Sequence, residues 1–149
     1  MDPVARCLPA SSKPLRVRAL PLVILAVLVA CEPLAPAEPL PDRAVALTAQ
    51  TEYRAWWAQT EACSGSQGRL ERIEWFVVPG VSSFMTAAGE RVGSWSWDGG
   101  VTRIVIAGDY IGHELVVRHE MLHALLYRGD HPPQYFSDRC QLTWDSWGG

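Results

Sequence analysis

The sequence predicts a single α+β domain, on three observations. Segments with helical spacing of apolar residues stand near the two ends of the folded part. Strand-like runs rich in Val, Ile and Trp lie between them. Two of those runs are joined by Asp98-Gly99-Gly100, a strong hairpin signal. A chain of 149 residues is enough for one such domain and not comfortably for two.

The folded part starts near Ala44. Thr48 or Thr51 is placed to cap a helix running to about Ala62, with Tyr53, Trp56, Trp57 and Thr60 at helical spacing. Ser64 to Gly68 is a loop. Leu70 to Val78 reads as a strand ending at Pro79-Gly80. Arg91 to Trp97 and Val101 to Ala107 read as the two hairpin strands, with Trp95 and Trp97 on one face of the first. A second helix runs from about Gly112 to Arg128 and is expected to stop at Gly129, after which Pro132-Pro133 prevents it resuming. The tail, Gln134 to Gly149, is expected to be a short turn of helix and loop. The order helix, strand, hairpin, helix, tail implies a mostly antiparallel or mixed sheet packed on both helices. Most of the seven tryptophans are expected to fill the core.

Residues 1–30 are not fold material. Lys13, Arg16 and Arg18 form a positive region, and Ala19 to Ala30 is an apolar run interrupted only by Pro21. A bilayer span needs roughly 20 apolar residues, so this run fits a secretory signal. Leu28-Val29-Ala30-Cys31 resembles the lipobox of bacterial lipoproteins, in which the cysteine becomes the lipidated N-terminus. An ordinary signal peptide with a chance cysteine is the plainer alternative. The resemblance implies an exported, membrane-anchored chain, on the periplasmic face or the cell surface. Residues 31–43, with prolines alternating among small and acidic residues, form a semi-rigid tether. The domain proper is then 44–149.

From Cys31 onward there are nine arginines, no lysines and fifteen acids, a net charge of −6. Such an acidic chain argues against a nucleic-acid partner, which needs a basic patch. With Cys7 in the leader and Cys31 on the lipid, Cys63 and Cys140 remain. An even pair in an exported domain reads as a disulfide, here closing a loop of about 78 residues.

His119-Glu120-Met121-Leu122-His123 is H-E-x-x-H. Residues four apart on a helix stand about 40° apart round the axis, with Cβ atoms about 5–6 Å apart. Two imidazoles so placed can hold one Zn²⁺, while Glu120 beside them reaches a water polarised by the ion and acts as the base. Leu115, Val117, Met121, Leu122, Leu125 and Leu126 make the helix apolar almost all round, hence buried. Histidines and a carboxylate on such a helix are costly unless paired or bound to metal. A satisfied core histidine cluster is the bland alternative.

Over about Val101 to Pro133 these residues resemble the zincin superfamily of zinc metallopeptidases. The resemblance implies a small zincin-like domain and cleavage of a protein or peptide substrate. It also implies that Val101 to Ala107 is the edge strand on which the extended peptide pairs. The chain departs from both named branches of the superfamily. Where metzincins carry a third histidine it has Gly129, and no glutamate follows Glu120 to serve as the gluzincin ligand.

The residue chosen as third ligand is His131. Gly129 permits a reversal, three extended residues span up to about 10 Å, and Pro132 biases His131 towards an extended conformation. Asp138, Asp130 and Asp145 are the alternatives. His113, on another part of the helical wheel, is not expected to be a ligand. Tyr110, Tyr127 and Tyr135 are each able to hydrogen-bond a developing oxyanion. Two other function classes compete with a peptidase. One is a non-catalytic lipoprotein stapled by its metal, against which Glu120 argues. The other is a module presenting Trp95, Trp97, Trp144 or Trp147 to glycans or peptidoglycan.

Overall fold

The computed structural model describes residues 39–147. The leader, Cys31, the tether up to residue 38, the last two glycines and the side chains of Ser146 and Trp147 lie outside the described residues. The architecture is α+β, with a mixed sheet and two main helices.

The chain enters through β1 (Val45–Ala46) and turns into α1 (Thr51–Ser64). The N-cap of α1 is Gln50, without a side-chain cap, so neither Thr48 nor Thr51 plays that part. Gly65 ends the helix in the left-handed region (φ 75°), donating its N–H to the Glu61 carbonyl. Leu70–Arg72 forms a short 3-10 turn, and β2 follows as Ile73–Val78.

Then comes a small hairpin that the sequence did not announce, β3 (Phe84–Thr86) and β4 (Gly89–Arg91). Its turn carries no Asn-Gly or Asp-Gly pair. Instead Thr86 Oγ1 donates to the Gly89 carbonyl (3.0 Å) and accepts from the Ala88 amide (3.1 Å), with Gly89 at φ 101°. One residue, Val92, separates β4 from β5 (Gly93–Trp97). The predicted strand Arg91 to Trp97 is therefore split between two sheets.

The expected hairpin joins β5 to β6 (Thr102–Ala107), with Asp98 Oδ1 accepting from the amides of Gly100 (3.1 Å) and Val101 (2.9 Å). Those two amides hold the Asp98 carboxyl below the usual carboxylate range. The order of the main sheet is β1-β2-β6-β5. Its centre is parallel: β2 and β6 run alongside each other from Ile73↔Thr102 to Val78↔Ala107. The sheet is mixed, and a mostly antiparallel reading misses that pairing. It also means that β6 is an interior strand, and the edge strands are β1 and β5.

The last main element is α2 (Glu114–Leu126). His113 caps it, its Nδ1 accepting from the Val116 amide at 3.5 Å. Three faces of α2 do different work. Val117, Met121 and Ala124 join Tyr53, Trp57, Ile73, Trp75, Ile104 and Ile106 in the main core. Leu122 meets Phe136, Cys140 and Leu142 of the tail, with Leu115 and Leu126 against them. The remaining face carries His119, Glu120 and His123.

Polar ties join the two helices. Arg118 pairs with Glu114 one turn back (2.9 Å) and donates from Nε to Thr60 Oγ1 (3.2 Å). Cys63 at the end of α1 is bonded to Cys140 in the tail, with Cα atoms 5.1 Å apart. Among the described residues no helix is long and apolar enough to cross a membrane.

Candidate metal centre

α2 ends earlier than expected. Its cap is Tyr127, a non-glycine in the left-handed region (φ 50°, ψ 44°). Gly129 does not supply the reversal: its φ is ordinary, and a Cβ built on it meets nothing within 4 Å. Because the chain turns at Tyr127, the Arg128 carbonyl comes back to His123 Nδ1 at 2.7 Å. A second carbonyl, that of Leu142, accepts from His119 Nδ1 at 2.7 Å. It too follows a left-handed non-glycine, Gln141 (φ 53°). Both imidazoles are thus held by main-chain oxygens placed by backbone conformations that side chains disfavour.

Those two bonds fix the tautomers. A carbonyl only accepts, so Nδ1 carries the proton on both rings and Nε2 presents its lone pair. The Nε2 atoms of His119 and His123 stand 3.2 Å apart, and His131 Nε2 lies 3.0 Å from the first and 3.2 Å from the second. Burial lowers the pKa of both His119 and His123 to about 4, and it pushes the His131 pKa down as well. Near neutral pH the rings are uncharged. Lone pairs at this separation repel one another, and a cation between them removes the repulsion. The three histidines form a group able to hold a metal ion.

Phe136 is the floor of the group. It is fully buried, and its ring centroid lies 5.0, 4.8 and 4.8 Å from those of His119, His123 and His131. Trp95 of β5 stacks on His123, at 6.1 Å and 19° between planes.

Glu120 is buried in the same place. Loss of solvation raises its pKa to about 8, and the nearby charge of Arg91 opposes that rise. Its carboxyl lies against the backbone of β5. A Cβ on Gly93 would come within 2.7 Å of Oε1 and 2.9 Å of Cγ, so a side chain there would force the glutamate to shift.

The triad and Glu120 open on a cleft of about 900 Å³. One wall is β4 and β5, contributing Arg91, Gly93, Ser94 and Trp95. The other is the tail, contributing Thr143, Trp144 and Asp145.

His119, His123 and His131 converge, and Glu120 lies beside them. Of the alternative ligands, Asp130 is engaged by Arg128 (2.5 Å), Asp138 does not line the cleft, and Asp145 lines it without joining the convergent group. None of Tyr110, Tyr127 and Tyr135 lines the cleft. Tyr127 packs edge-on against Trp97 at 5.5 Å, and Arg139 lies over Tyr135. Trp95 and Trp144 line the cleft, and Trp97 and Trp144 are exposed. Sequence reasoning missed Phe136, Gly93, Arg91 and the Leu142 carbonyl. Only Gly93, a glycine opening a strand, left any local mark. Comparison with protein-family profiles, with curated proteins and with solved structures finds no match.

Proposed function

We propose that this chain is a zinc-dependent metallopeptidase that hydrolyses peptide bonds outside the cytoplasm, held to a membrane by a lipid on Cys31. The observation that carries the reading is the convergence of three imidazole lone pairs beside a buried glutamate, in a cleft open to solvent. Zinc bonds to imidazole of about 2.0–2.1 Å at tetrahedral angles separate the donors by about 3.3–3.4 Å. The observed 3.0–3.2 Å needs an opening of only a few tenths of an ångström. Three protein ligands and an open fourth position are the pattern of catalytic rather than structural zinc.

When bound, zinc polarises a carbonyl and brings the pKa of a water towards 7. The chain's own residues then have separate tasks. His119, His123 and His131 hold the ion, and the carbonyls of Leu142 and Arg128 keep two of the rings aimed. Glu120 takes the proton of the attacking water and delivers it to the leaving amine. A neighbouring dication favours its ionised form, against the burial that raises its pKa. The outer edge of β5 has no strand partner among the described residues, and an extended peptide can add to it through main-chain hydrogen bonds. β5 takes the place that the resemblance gave to Val101 to Ala107. The lipid anchor and the export reading rest on the leader and Cys31. A metal used only as a staple would leave Glu120 without a task.

Metal analysis and a protease assay test this together. Wild type is expected to bind one zinc per chain, and His123→Ala to lose it. Glu120→Gln is expected to keep the zinc and lose hydrolysis of an unfolded protein by orders of magnitude. Hydrolysis at the wild-type rate by Glu120→Gln would sink the peptidase reading.

A further inference from the structure

Among the described residues, Arg91 is the only arginine that lines the cleft. It ends β4, two positions before Gly93, and so stands where the small hairpin meets the edge strand. Its side chain is held by the hairpin's own backbone: Nη1 donates to the Glu90 carbonyl and Nη2 to the Ala88 carbonyl, each at 2.8 Å. Gly89 makes that turn possible with φ 101°. Carbonyl partners fix a guanidinium in place without neutralising it, and they use two of its five N–H donors.

No carboxylate among the described residues lies within ion-pair distance of Arg91. The cleft holds three. Glu90 accepts a hydrogen bond from Ser83, Asp145 belongs to the tail wall, and Glu120 is buried against Gly93. The charge of Arg91 reaches into the site all the same, opposing protonation of both Glu120 and His131. The result is a fixed, solvent-facing cation beside the metal group, on a chain that is otherwise acidic. A fork of this kind matches a carboxylate with two parallel hydrogen bonds.

We propose that Arg91 is the specificity-determining residue of the cleft, and that the peptides it takes carry a carboxylate next to the bond facing Glu120. The carboxylate comes from an acidic side chain or from a free C-terminus. This rests on the peptidase reading for the position of the bond, and not for the binding itself.

The test uses the full chain carrying Glu120→Gln and loaded with zinc, so that binding is read without turnover. Three fluorescently labelled peptides differ only in their carboxylates: one amidated with a central Gln, one amidated with a central Glu, and one with the Gln and a free C-terminus. Fluorescence anisotropy gives their affinities. At least one carboxylate peptide is expected to bind about tenfold or more tighter than the neutral one, with the gap shrinking as salt is added. Which of them gains identifies the source of the carboxylate. Adding Arg91→Gln is expected to remove the gap, and adding Arg91→Lys to retain part of it. Equal binding of all three peptides, or no binding of any, overturns the inference. So does a gap that survives Arg91→Gln, because the metal would then be holding the carboxylate. A preference that depends on Arg91, in a wild-type chain that hydrolyses nothing, leaves the inference standing and removes the peptidase reading instead.

Discussion

Glu120 and the two helical histidines are perturbed in opposite senses by one cause, burial, and that gives the metal-free protein a definite pH dependence. Glu120 has its pKa raised to about 8, so its contribution is fully present below its unfolded value near 4.5 and is lost as pH rises through 8. His119 and His123 have theirs lowered to about 4, so their contribution is present above 6.5 and is lost as pH falls towards 4. Between pH 6.5 and 8 the folded histidines stay neutral while their unfolded counterparts finish losing their protons, so the loss from Glu120 dominates and the histidines offset part of it. Chelator-treated protein is expected to lose on the order of 1 kcal/mol of stability across that window, because one proton held over a tenfold change in proton concentration is worth about 1.4 kcal/mol and the histidines return part of the loss. Glu120→Gln is expected to flatten the slope. Denaturant titrations of both proteins at pH 6.5 and pH 8 check this, and an unchanged slope in the variant would place its cause elsewhere.

Among the elements, the turns after α2 and after the Gln134–Arg139 π-helix do more for the site than their lengths suggest. Each places a left-handed non-glycine immediately before the carbonyl that aims an imidazole, Tyr127 before Arg128 and Gln141 before Leu142. A β-branched residue tolerates that conformation worst. Gln141→Val is therefore expected to cost about 1–2 kcal/mol of stability. It is also expected to weaken zinc binding by about tenfold or more, although Gln141 touches no metal. Gly129→Val is the control and is expected to do neither, since that position is unstrained and open. Competition with a chromogenic chelator gives both affinities. Equal zinc affinity in Gln141→Val and wild type would detach the turn from the site.

The same turns mark the boundary of what was legible in the sequence. The placing of His119, Glu120 and His123 follows from helical period alone, and His131 from chain reach. The parity of the cysteines gave their bond. The reversal was expected at Gly129 because glycine costs least there, yet the fold turned at Tyr127, where packing on Trp97 accompanies the strain. Arg91, Phe136 and the Leu142 carbonyl reach the site through contacts between elements far apart in the chain. No local pattern announces such contacts. The edge strand was misassigned for a related reason: strand order is set by the parallel β2–β6 pairing, which leaves no mark on either strand by itself.

At the scale of the whole molecule, the bond between Cys63 and Cys140 fastens the tail to α1, and the tail supplies Phe136, the Leu142 carbonyl and one wall of the cleft. Fold stability and metal affinity should fall together when it is removed. A variant with both cysteines changed to alanine is expected to lose about 2–4 kcal/mol of stability. Its zinc affinity is expected to drop with it, because Leu142 stands two residues beyond Cys140. Thermal melts with and without zinc, set beside chelator competition, separate the two effects. Unaltered affinity in a destabilised variant would show that the tail holds its place without the bond.

The fit between Gly93 and Glu120 reaches beyond this one chain. The strand and the helix that carry them are far apart in sequence, yet the carboxyl in its present pose occupies the space that a Cβ on the strand would need. A chain that holds the glutamate in this pose is expected to keep that vacancy. A glycine twenty-seven positions before the glutamate of H-E-x-x-H, and a histidine eleven positions after it, together make a fingerprint far more selective than the five-residue motif. Insertions in the β5–β6 hairpin or ahead of α2 would stretch the first interval without erasing it. Distant kin of this protein should be recognisable by that pairing after the rest of their sequences have diverged.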